Sequence, residues 1–278
     1  MLRWIIILGS LCAVALIALA FVLTRGEHQP AAPVPYGFVT SFGGGTLASV
    51  QYDPHIDYSL NPSSERFYVH IPHDYTGHAP YGLIVFISPN GQIGTIPQGW
   101  AEVLTQRHLL FVAPLGAGND QKGGRRFGLA VLAAREMMQH YAVDPKRIYV
   151  SGLSGGARVA GILGFYQPDL FRGTIQNCGA DFYTPVPKVE AESETDSNGG
   201  EYGVFDATPD EIAGAKQVRF ALITGSKDSR HGNILDVYNG GFAKSDLQAK
   251  LFDVPGMAHE TASPVTLNAA LDFVETGK

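Results

Sequence analysis

Ser154 stands in Gly152-Leu153-Ser154-Gly155-Gly156, directly after the apolar run Arg147-Ile148-Tyr149-Val150-Ser151 and directly before a helix-like stretch from Ala157. A G-x-S-x-G pentapeptide between a strand and a helix is a sharp turn that lifts one serine hydroxyl clear of a sheet. The glycines answer a steric need, because the backbone at the serine is strained and a side chain beside it would strike the neighbouring strand or helix. The new helix points its free N–H groups and the positive end of its dipole at the place where a reacting oxygen gains charge. The chain holds 33 glycines, so the pentapeptide alone carries little weight; the strand before it and the helix after it carry more.

A serine hydroxyl attacks a carbonyl carbon only when a base takes its proton, and the base needs a carboxylate to orient it. For a serine on such an elbow the partners follow in the order acid, then histidine. The acid candidate is Asp228, which closes Leu222-Ile223-Thr224-Gly225-Ser226-Lys227-Asp228 just past a buried-type strand. Asp253 and Asp206 are weaker rivals, one inside a strand and the other in an irregular loop. The base candidate is His259, in Pro255-Gly256-Met257-Ala258-His259-Glu260 between the last strand and the last helix, with His231 as its rival. Two N–H donors are needed for the oxyanion. One is Gly155. The other belongs to the loop after Leu83–Ser88, where Pro89 has no N–H and Asn90 or Gly91 must supply it. His70, His73 and His78 have a spacing that could suit a metal, but they flank a strand end and no carboxylate-supported helix pair accompanies them. No cofactor and no metal are expected. Cys178 reads as a small buried apolar residue.

These residues need a frame. Arg66–Ile71, Leu83–Ser88, Leu109–Ala113, Arg147–Ser151, Gly173–Asn177, Val218–Thr224 and Ala249–Val254 read as strands. Gln98–His108, Arg126–Tyr141, Gly155–Tyr166, Ile234–Ala243 and Pro264–Thr276 read as helices. The alternation predicts an α/β domain, a mostly parallel sheet with helices on both faces, whose ligands sit at the carboxyl ends of the strands. Residues 37–278 are assigned to it. The acidic stretch Pro185–Asp206 breaks the pattern and reads as a solvated loop. A lid is the alternative, and calcium a remoter one: Glu194, Asp196, Asn198 and Gly199 mimic part of a calcium loop whose closing acid is replaced by Phe205.

Arg3 precedes an apolar run from Trp4 to Leu23, near the length of about 20 residues that crosses a bilayer. Residues 1–25 are therefore expected to be a signal anchor, or a signal peptide cut near Ala18-Leu19-Ala20. The Pro-rich linker 26–36 spaces the domain from the membrane, and export places the domain outside the cytoplasm. The net charge of −6 and the absence of any long basic run argue against nucleic acid. With one cysteine outside the N-terminal segment no internal disulfide is available.

Two segments carry a family likeness. One runs from Phe67-Tyr68-Val69-His70-Ile71-Pro72 to Tyr81-Gly82-Leu83-Ile84-Val85-Phe86. The other runs from Val143-Asp144-Pro145-Lys146-Arg147-Ile148-Tyr149-Val150 into the elbow. From Arg66 onward the chain resembles the α/β-hydrolase esterases, in particular the feruloyl-esterase-like and polyhydroxyalkanoate-depolymerase-like group. The resemblance implies Ser154 as nucleophile, Asp228 and His259 as its acid and histidine, and a small or polymer-linked carboxylic ester as substrate. Ser88-Pro89 replaces the His-Gly usual in that family after the third strand, so the oxyanion loop departs from its pattern. A peptidase, an acyltransferase to a cell-envelope acceptor, or a non-catalytic binding protein could share the scaffold.

Overall fold

A computed structural model describes residues 37–42, 52–187 and 204–278. Eight strands form one sheet: β1 (Phe38–Thr40), β2 (Phe67–His70), β3 (Tyr81–Ile87), β4 (Leu109–Pro114), β5 (Val143–Leu153), β6 (Gly173–Asn177), β7 (Arg219–Gly225) and β8 (Gln248–Val254). Their spatial order is β1-β2-β4-β3-β5-β6-β7-β8. β1 and β2 run antiparallel at one edge, and β4 through β8 are parallel.

The central strands are apolar along their length because both of their faces are covered. Every residue of β3 and β4 is buried. Leu83, Val85 and Ile87 turn to one layer, packed with α2 (Gly123–His140) and α3 (Gly155–Tyr166). Ile84 and Phe86 turn to the other, packed with α1 (Trp100–Gln106) and α6 (Pro264–Thr276). This period of two is what a strand between two helix layers requires. The chain leaves β3 outward to β4 and returns on the other side of β3 as β5. The switch in direction lies between β3 and β5, and it brings the loop after β3 beside the turn after β5.

The expected elements are present, with shifted ends. α2 begins at Gly123, before Arg126, and α5 (His231–Gly240) begins before Ile234. β1 and α4 (Pro209–Ala215) were not expected. β1 is a three-residue edge strand that lacks a buried run. α4 did have a signal in Thr208-Pro209-Asp210-Glu211: proline sits in its first turn, and Thr208 and Glu211 form a reciprocal capping box. The N-terminal segment 1–25, the linker 26–36 and the calcium-like residues 194–199 lie outside the described residues. Among the described residues, no helix is long and apolar enough to cross a membrane. Most of the acidic stretch, 188–203, also lies outside the described residues; Phe182, just before the stretch, bridges to Val204 near its end.

Trp100 ties the second helix layer to the segment that follows His259. Its ring is fully buried and stands edge-on to Phe86, with centroids 5.7 Å apart. Its Nε1–H donates to the Ala262 carbonyl at 2.9 Å. Trp100→Ala is expected to cost about 3–5 kcal/mol, measured by denaturant unfolding; a loss near zero would contradict this packing.

Candidate active site

Ser154 has φ 56° and ψ −123°, a conformation that L-residues rarely hold. Its N–H donates to the Asn177 carbonyl at 2.8 Å, and its own carbonyl accepts from Ala157 and Arg158 at 2.9 and 3.1 Å. The turn closes only because its neighbours lack side chains. A Cβ on Gly152 would collide with the Gly156 carbonyl, and one on Gly156 would collide with the Ile87 carbonyl of β3. α3 starts at Gly155, so its first N–H groups have no partner inside the helix and surround the serine.

His259 and Asp228 meet directly. The His259 Nδ1 lies 2.6 Å from Asp228 Oδ1, a short bond of the kind that a carboxylate acceptor favours. The carboxylate is buried and the imidazole is one-third exposed, at 33%. Asp228 Oδ2 accepts the Thr224 hydroxyl at 2.7 Å, and Oδ1 also accepts the Arg230 N–H at 3.0 Å. Burial pushes this carboxyl up. Donors from the Arg230 backbone, His259 and Thr224 outweigh burial and hold it below the ordinary 3.8. It therefore stays ionised, as an orienting group for an imidazole must.

Asn177, at the end of β6, joins these pieces. Its carbonyl holds the Ser154 N–H, its Nδ2 donates to the Gly152 carbonyl at 2.8 Å, and its Oδ1 accepts the Ala262 N–H at 2.9 Å. The next residue, Cys178, puts its sulfur within 4.8 Å of the Asp228 and His259 ligand atoms and donates to the Glu260 carbonyl at 3.2 Å. Burial, followed by the Asp228 charge, pushes its thiol up to about 12, which suits an inert buried group. The ends of β5, β6 and β7 and the loop after β8 thus converge. The Ser154 hydroxyl is not hydrogen-bonded to the His259 ring in this state; such bonds often tighten only with substrate bound. The rivals lie elsewhere. His231 Nε2 pairs with Asp253 Oδ1 at 3.0 Å, and the Asp206 carbonyl takes the Tyr166 hydroxyl. His70, His73 and His78 do not gather three ligand atoms.

No protein-family model matches the chain. It is 28% identical over 193 residues to a poly(3-hydroxybutyrate) depolymerase of Ralstonia pickettii, across 63% of this chain and 38% of that protein. It is 27% identical over 143 residues to an acetylxylan esterase of Coprinopsis cinerea, across 42% of this chain and 37% of that one. The chain thus spans less than two-fifths of the length of these curated relatives. Among solved structures, a ferulic acid esterase superposes with a TM-score of 0.58 at 15% identity, over 76% of this chain and 91% of that one. The protein adopts the α/β-hydrolase fold.

The loop after β3 is internally bonded. The Gly91 N–H closes a turn on the Ser88 carbonyl at 3.2 Å. The Asn90 N–H donates to the Ser88 hydroxyl at 3.3 Å, and that hydroxyl donates to the Gln92 carbonyl at 2.8 Å. Sequence reasoning missed Asn177 and a second group, Asn119 with Arg126. The Asn119 side chain lies against the Cα of Gly155, and its N–H donates to the Pro89 carbonyl at 2.8 Å. Its Oδ1 accepts from Arg126 at 3.0 Å. A guanidinium only donates, so this bond fixes which end of the amide is oxygen. Burial, then repulsion from Arg158, push Arg126 down to about 10. Nothing in the local sequence marks these residues, because their roles come from strands that meet only in three dimensions.

Thr224→Val removes one donor to the Asp228 carboxylate without changing side-chain shape. It is expected to cost about 1.5–3 kcal/mol near pH 7. Asp228 is the depressed-carboxyl case, so the stability its ionised form lends is complete above its unfolded value and is lost as pH falls through the folded one. Denaturant unfolding should show the wild-type advantage intact at pH 6–7 and shrinking below about 3.8; an advantage that grows in acid would contradict the assignment.

Proposed function

We propose that the protein is a serine hydrolase of carboxylic esters, with Ser154 as nucleophile, His259 as general base and Asp228 as the group that orients it. The observation that carries this reading is the 2.6 Å bond between Asp228 and His259, made by residues after separate strand ends, with Asn177 tying the loop that holds His259 to the turn of a serine with positive φ. The curated relatives support it, since one is a depolymerase and the other an esterase.

In this reading Asp228 holds the Nδ1–H of His259, which leaves Nε2 to take the Ser154 proton as the oxygen attacks the ester carbonyl. The tetrahedral oxyanion forms over the start of α3, stabilised by the Gly155 N–H and by the N–H of Asn90 or Gly91. His259 returns the proton to the departing alcohol. Water, deprotonated by the same imidazole, then attacks the acyl-enzyme and restores the Ser154 hydroxyl.

Hydrolysis of p-nitrophenyl esters is the direct test. Wild type should turn over, Ser154→Ala should lose the activity while remaining folded, and Asp228→Asn should lower kcat by about 10⁴. Activity confined to peptides, or transfer to an acceptor alcohol in place of water, would reassign the leaving group or the acceptor. Full activity in Ser154→Ala would end the proposal.

We also propose an extracytoplasmic location, supported by the apolar run from Trp4 to Leu23 behind Arg3. If that run anchors the chain, the protein stays in the membrane pellet after alkaline carbonate extraction. Complete release of the uncleaved chain would contradict anchoring.

A further inference from the structure

The segment that leads into the sheet folds against the far end of α3. The His55 ring lies flat on Tyr166, with centroids 4.4 Å apart and planes 7° from parallel. Tyr166 is the last residue of α3, roughly 18 Å along the helix from Ser154. The His55 Nδ1 faces two carboxylates, 3.1 Å from Asp53 Oδ1 and 3.8 Å from Glu211 Oε1. The three ligand atoms all lie within 4.8 Å of one another.

Both acids are buried, Asp53 at 3% exposure and Glu211 at 7%. Glu211 commits Oε2 to its capping box, where it accepts the Thr208 N–H at 2.6 Å and the Thr208 hydroxyl at 2.9 Å. Its Oε1 accepts no hydrogen bond among the described residues, and neither does Asp53 Oδ2. Two buried carboxylates therefore face a single imidazole, which carries at most one positive charge. The negative charge left over in a buried place is costly, and a divalent ion is the partner that would balance it.

We propose that Asp53, His55 and Glu211 form a structural site for a divalent cation of the zinc class, bound through one imidazole nitrogen and two carboxylate oxygens. Ligands about 2.1 Å from a tetrahedral ion stand about 3.4 Å apart, and the two measured separations from Nδ1 bracket that value. Imidazole with carboxylate suits zinc-like ions better than calcium or magnesium, which favour oxygen alone. The cage is held in place before any ion arrives. The His55 N–H pins Asp53 Oδ1 at 2.8 Å, the Tyr166 face sets the plane of the imidazole, and the Asp57 N–H anchors the same loop to the Gly124 carbonyl of α2 at 3.0 Å. His55 is 32% exposed, which leaves an entry path and room for a water as fourth ligand. The ion would link two stretches far apart in sequence, the loop at Asp53 and the start of α4, next to the end of α3. It takes no part in the proposed ester chemistry.

The test uses the full chain stripped with a chelator and titrated with Co²⁺, then with Zn²⁺. Wild type should develop a visible cobalt absorption that saturates at one ion per chain and is displaced by Zn²⁺, and Zn²⁺ should raise the unfolding temperature. Glu211→Gln preserves a capping box but removes a charged ligand, so it should fold and bind at least about tenfold more weakly. His55→Ala should lose the cobalt spectrum. Absence of saturable binding by wild type, or wild-type affinity in folded Glu211→Gln or folded His55→Ala, would overturn the site.

Discussion

The positive φ of Ser154 is the constraint on which the rest depends. Left alone, the backbone would relax out of that conformation. Here it cannot, because the turn is closed from every side. β3 presses its Ile87 carbonyl against Gly156, and Gly156 in turn leaves no room for a side chain on Gly152. Asn177 takes the serine N–H. The strain is thus spread over three strands and the first turn of a helix, and a rigid parallel sheet supplies the stiffness that holds it.

The same stiffness explains how residues so distant in sequence can share a site. Parallel strands end on one side of the sheet, so the loops after β5, β6, β7 and β8 gather there. Asn177 then locks the gathering together, with one bond to the elbow strand and another to the loop after β8. Trp100 holds that loop from below. Asp228 is buried by this arrangement but remains ionised, because Arg230, Thr224 and His259 all donate to it. The carboxylate is oriented by fixed protein groups rather than by solvent, and the imidazole it holds keeps one-third of its surface exposed.

Most of the frame was legible in the sequence. β3 and β4 announce themselves because a strand covered on both faces has no polar position. α3, β6 and α6 run from the residues at which their patterns start to those at which they stop. β1 was hidden because three half-exposed residues leave no pattern, and α4 because its signal lies in its cap rather than in an apolar stripe. The pairing of Asp228 with His259 followed from chain order and strand ends. The same logic set aside Asp253 and His231, which pair with each other. Asn177, Asn119 and Arg126 were not legible. A polar residue ending a strand looks alike whether it faces water or bridges two loops, and only the fold decides. The cage around His55 was hidden for the same reason, since Glu211 joins it from more than a hundred and fifty residues away.

The central claim is that Ser154 is the atom source for the covalent step, made reactive by the imidazole of His259. Peptide mapping of the protein after exposure to a fluorophosphonate measures this most directly. The account predicts a single phosphonyl adduct, on the peptide that contains Ser154, formed slowly or not at all in His259→Ala. An adduct on a different residue, or no adduct on folded wild-type protein, would contradict it.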